Sequence, residues 1–176
     1  MKSKMTMLAV LAGATGLYAQ NPLTTELKQN YAQVKALVTK AADDMPDADY
    51  GFVPGPGSRT YGVAVAHIAA VQAGLCGMAS GKEGPKIDEN KGSKAEATAA
   101  LKTAFDFCDP IYAAATDADA TKLVKMFGRD RTMFGVLDFG VIHDNEMYGT
   151  LAVYLRAKAK VPPSSAGRGN MGKKKE

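Results

Sequence analysis

The chain has 176 residues, a formal net charge of +4, 46% apolar residues, no Trp, two Cys and two His. That length suits one domain with a core of useful size. Lys2 and Lys4 carry two of the four charges, and the segment from Ser164 a net three through Arg168, Lys173, Lys174 and Lys175 against Glu176; about −1 is left for the rest, which excludes a nucleic-acid-binding surface.

Two lysines, an apolar run from Met5 to Ala19 and then Gln20-Asn21-Pro22 form the grammar of a secretory signal peptide cut after Ala19. The run falls short of the roughly 20 apolar residues that span a bilayer. The expectation is an exported protein, periplasmic or extracellular, with residues 1–19 as signal peptide and no transmembrane segment after its removal. A frayed N-terminal helix is the alternative.

The first helix is predicted from Pro22 to Ala42, with Asn21 as its cap and Pro22 at the first helical position, where a missing N–H costs nothing. Leu27, Tyr31, Val34, Val38 and Ala41 form its buried stripe. Tyr50 to Arg59 is too dense in Gly and Pro for a helix or strand, and no Lys-Ser/Thr follows its Gly-Pro-Gly as a phosphate loop requires. The second helix runs from Thr60 to Ala79, with Val63, Ala64, His67, Val71, Gly74 and Leu75 on an inward face. Ser80 to Pro85 stops it, and the polar run to Lys91 is a connector.

Ser93-Lys-Ala-Glu96 reads as a capping box that opens a third helix. Its stripe is Leu101, Phe105, Cys108, Ile111 or Tyr112, and Ala115, with a kink expected at Pro110. Thr116 to Thr121 makes a short helical turn, and Met126-Phe-Gly128 leads into a crossover. The fourth helix occupies Thr132 to Lys158, and Val161-Pro-Pro163 ends it. Val136, Gly140, His143, Met147, Leu151 and Tyr154 lie along one face, bordered by Glu146, while Asp144 is rotated about 100° from His143 toward solvent or a neighbouring helix. From Ser164 the basic tail has almost nothing to bury and is expected to be disordered.

Four amphipathic helices with no strand pattern make an all-α protein, a four-helix bundle over residues 20–163. A globin-like orthogonal arrangement fits the same pattern. His67 and His143 both fall on inward faces, so they are either hydrogen-bonded core residues or half of a metal site, for which facing helices of a bundle are a usual frame. No Ser-His-Asp or Cys-His constellation can be assembled from two histidines. Cys76 and Cys108, on two adjacent helices of an exported chain, are expected to form a disulfide rather than remain thiols.

The run from His143 to Arg156, closing on Val161-Pro-Pro-Ser-Ser165, resembles the last helix of the DinB/YfiT-like superfamily, and Tyr61-Gly-Val-Ala-Val-Ala-His-Ile-Ala69 resembles that family's second helix. The resemblance extends over nearly everything between Leu23 and Ser165. It implies a four-helix bundle of the DinB/YfiT-like type, in which many members hold a divalent metal through three histidines. His67 and His143 fall on two of those positions; the third falls on Met147. Zinc and nickel favour imidazole, carboxylate and water, whereas a thioether suits softer Cu(I). The site so implied is degraded: zinc or nickel weakly bound or absent, with Glu146 as a substitute ligand. The family's activities imply a metal-dependent hydrolase or thiol transferase acting on a small molecule. The alternative is a non-catalytic bundle that binds a small ligand, another protein or a second copy of itself.

Overall fold

A computed structural model describes residues 21–166. The expected signal peptide and the tail from residue 167 lie outside them. Four long helices make up the bundle: α1 (Pro22–Asp44), α2 (Tyr61–Ser80), α3 (Lys94–Ala114) and α4 (Met133–Ala157).

The stripe of α1 is buried as its spacing requires, Leu27, Tyr31, Val34, Val38 and Ala41 all facing the core. Its N-terminus is capped differently from the expectation. Asn21 makes no side-chain cap. Instead the Asp117 carboxylate accepts from the Leu23 and Thr24 amides and the Thr24 hydroxyl at 3.2, 2.8 and 2.8 Å, while Asn21 Oδ1 accepts from the Asp117 amide at 2.8 Å. A carboxylate at a helix N-terminus meets both the free N–H groups and the positive end of the dipole. Here it comes from 93 residues away and ties α1 to the segment after α3.

α2 and α3 run parallel, which requires the connector 81–93 to travel back along α2. Gly81 stops α2 in the left-handed region at φ +69°. Gly84 then lies against the Ala73 carbonyl and Gly92 against Gly62 and Val63. A Cβ on Gly62 would stand 1.7 Å from the Gly92 oxygen, so the two backbones touch and only glycine fits. The Ser93 hydroxyl accepts from the Glu96 amide and donates to its carboxylate, starting α3. α3 continues through Pro110 to Ala114. The Cys76–Cys108 disulfide is formed, with Cα atoms 5.6 Å apart, and its loop entropy is worth roughly 3–4 kcal/mol.

With α3, α4 and the connector around it, α2 is buried on nearly every side. Its composition would suffice to cross a membrane; in this fold it is the central helix. The stripe expected to face inward is buried only in part: Ala64 and Leu75 are buried, Val63, His67 and Val71 are half-buried and Gly74 is exposed. On α4 the expected Val136, Gly140, Leu151 and Tyr154 are buried, with Leu137, Asp144, Tyr148, Ala152 and Leu155 buried beside them. His143 and Met147, expected on the same inward row, are half-buried at the rim of the core.

Two further differences concern segments read from composition. A β-hairpin, β1 (Leu123–Met126) paired antiparallel with β2 (Arg129–Thr132), stands where no strand was expected, and buried Met126 anchors it. Its turn places Phe127 and Gly128 at φ +49° and +78°, the geometry that favours Asn-Gly. Phe127 is 70% exposed, so nothing offsets its left-handed strain. Phe127→Asn is expected to raise stability by up to about 1 kcal/mol, read as a higher Tm with an unchanged helical spectrum. The tail also begins later than its composition suggests. Pro163–Ser165 form a helical turn, and the Ser164 amide donates to the Tyr148 hydroxyl at 2.8 Å.

Candidate functional site

His67, half-way along α2, and His143, in the middle of α4, come together as expected. Their rings lie 5.3 Å apart, centroid to centroid, at 63°. The side chains are 19% and 14% exposed, so the pair sits just beneath the surface and not at the bundle axis. Each imidazole has a carboxylate at Nδ1. Glu89 Oε2 lies 2.6 Å from His67 Nδ1, and Asp144 Oδ1 makes a longer 3.4 Å contact with His143 Nδ1. A carboxylate at Nδ1 fixes that nitrogen as the N–H donor and leaves Nε2 as the base. This is the arrangement that orients metal-binding histidines.

Glu89 reaches His67 because the connector returns along α2. Its contacts at Gly62–Gly92 and Ala73–Gly84 bracket the level of His67. Nothing in the local sequence signals this partner, since residues 86–91 read only as a polar connector. Glu146 does not join the pair; it is exposed on α4.

Met147 stands one turn after His143 and packs, half-buried, against the core. α2 and α4 are antiparallel. Gln72 Oε1 lies 2.9 Å from where a Cβ on Gly140 would be, and the Tyr61 and Tyr154 rings are 5.8 Å apart. His67, about midway between Gln72 and Tyr61, is therefore level with the turn of α4 from His143 to Met147.

Behind the imidazoles lies a buried polar group. Asp144, expected to face solvent or a neighbouring helix, is fully buried, and burial pushes its carboxyl up to about 6 although the neighbouring His143 pulls it down. Its Oδ2 has no hydrogen-bond partner, and neither has Oε1 of the fully buried Gln72. Gln72 Nε2 donates to the Tyr112 hydroxyl at 3.3 Å, which donates to the Leu137 carbonyl at 2.7 Å. Tyr112 stacks on Tyr31 with centroids 3.7 Å apart.

Among the described residues no cluster of three or more His, Cys, Asp or Glu side chains is arranged to hold a metal ion. Two free imidazole nitrogens fit such an ion. The third position offers a thioether, which does not suit zinc or nickel.

The chain is thus a four-helix bundle with one histidine on its second helix, one on its last and a long return between α2 and α3. The DinB superfamily profile matches residues 30–151, and the chain belongs to that superfamily. Its fold is similar to that of a DinB-like protein from Bacillus cereus (TM-score 0.70, 19% identity, 79% of this chain and 95% of that one). A DinB-like protein of Bacillus subtilis, YjoA, is similar at TM-score 0.63 and 17% identity over 77% of this chain and 93% of that one. Among curated proteins nothing matches.

Proposed function

We propose that the chain is an exported DinB-superfamily protein whose His67–His143 pair binds a metal ion through the two Nε2 atoms. The observation that carries this reading is the pairing of both Nδ1 atoms with carboxylates, Glu89 at 2.6 Å and Asp144 at 3.4 Å, on rings 5.3 Å apart. Hydrogen-bonded core histidines need no such approach of two rings, each with a carboxylate at Nδ1. A bound divalent ion would supply Lewis acidity, lowering the pKa of a water or thiol, the chemistry of a metal-dependent hydrolase or thiol transferase. Glu89 and Asp144 hold the imidazole tautomers, and Asp144 and the apolar residues around it keep bulk water from the inner side of the pair.

A second reading, a bundle that has lost tight binding of zinc or nickel and serves as a small-ligand or protein-binding module, is favoured by Met147 at the third position. One experiment weighs the two. Calorimetric titration of untagged protein with zinc is expected to give weak binding, and Met147→His to strengthen it by orders of magnitude, because a third strong donor is added one turn from His143. If neither protein binds zinc and His67→Ala changes nothing, the pair is structural and the second reading holds.

A further inference from the structure

We infer that the site of this chain selects Cu(I) over zinc and nickel, with His67 and His143 as nitrogen donors and the Met147 thioether as third ligand. The inference rests on the proposed metal site and replaces the divalent ion of that reading with a monovalent one. Three observations carry it. The two rings are close enough to converge, and their Nδ1 atoms are committed to carboxylates. Met147 lies on the His143 face of α4, level with His67, and is half-buried against the core rather than turned into solvent. The carboxylate that borders these residues on α4, Glu146, is exposed, and no third His, Cys, Asp or Glu joins the pair to hold an ion among the described residues.

The donor set then decides the ion. A neutral thioether is a poor ligand for zinc or nickel, which draw on imidazole, carboxylate and water, but a good one for a soft monovalent ion. Two imidazoles and a thioether are also neutral, so a monovalent ion leaves a single charge at the site, where a divalent ion would leave two. Half-burial of the pair penalises the larger charge more. Glu89 and Asp144 stay on the far nitrogens and moderate the remaining charge. The two cysteines do not compete for the ion, because both are in the Cys76–Cys108 disulfide.

The test is a pair of anaerobic competition titrations on the untagged protein, Cu(I) against bathocuproine disulfonate and zinc against a chromophoric chelator, with copper K-edge absorption on the loaded sample. Expected are one Cu(I) per chain, held more tightly than zinc, and a sulfur scatterer in the copper shell. Met147→Leu preserves the packing volume; it should remove that scatterer and weaken Cu(I) by roughly tenfold or more while leaving zinc unchanged. Met147→His should reverse the preference. Tighter zinc than Cu(I) in the wild type, an all-nitrogen copper shell, or a Met147→Leu protein that keeps its Cu(I) affinity overturns the selectivity and leaves the metal site standing. Binding of neither ion, or binding that survives His67→Ala, overturns both.

Discussion

Gly62→Ala is expected to be among the most damaging single substitutions in the chain. The new Cβ would stand 1.7 Å from the Gly92 carbonyl oxygen and 2.6 Å from its carbon, both backbone atoms that no rotamer change can remove. The connector must lift away from α2. That uncovers Gly62 and Val63, against which Gly92 lies, and draws Glu89 off His67. Overpacking of this kind costs about 3 kcal/mol or more. A melt of the purified variant should show a Tm lower by about 6–12 °C, and the His67 ring resonances should shift as its carboxylate partner leaves. Gly74→Ala is the control on the same helix. It has nothing within 4 Å and should gain up to about 1 kcal/mol from helix propensity alone. Equal, small effects at the two positions would show that the connector does not press on α2.

How far the sequence reveals this fold can be followed element by element. The stripe of α1 was legible because its polar and apolar residues alternate at the helical period. α2 was legible as a helix, but its inward face only in part. Nearly every position is Ala, Gly or a branched aliphatic residue, so no face stands out, and the structure buries it on several sides at once. The hairpin escaped notice because each strand has four residues and Phe-Gly replaces the Asn-Gly that would have announced its turn. His67 and His143 were legible as a pair; Glu89 and the depth of Asp144 were not. Glu89 is 22 residues from His67 and arrives only through the return of the connector. Asp144 follows from the exact rotation of α4, and a shift of one residue, about 100°, separates a solvent-facing carboxylate from a buried one.

That burial gives the second large effect. The buried Asp144 carboxyl should cost metal-free protein stability as pH rises through the weakly acidic range, and Asp144→Asn should remove that contribution. In the folded chain burial raises the Asp144 carboxyl to about 6, whereas in the unfolded chain it titrates near its ordinary value of about 3.9. A group whose folded pKa lies above its unfolded one favours the folded state when protonated. Its contribution is complete below the unfolded value and is lost as pH climbs through the folded one. The difference of roughly two pH units corresponds to about 3 kcal/mol. The unpartnered Oδ2 points the same way, because an ionised carboxylate in that position has nothing to compensate its lost hydration. Other carboxylates act in the opposite sense. The carboxylate of Asp119 accepts hydrogen bonds from the Thr116 hydroxyl and amide, is held below its usual pKa, and loses its contribution on acidification. The total pH profile therefore mixes both, and the difference between wild type and Asp144→Asn isolates the buried group. In chelator-treated samples the variant should be the more stable by about 3 kcal/mol, or 6–12 °C in Tm, at pH 7.5. The two proteins should converge as pH falls to 4. A gap that stays constant from pH 4 to 7.5 would mean that Asp144 finds a donor or water in the core and does not titrate in this range.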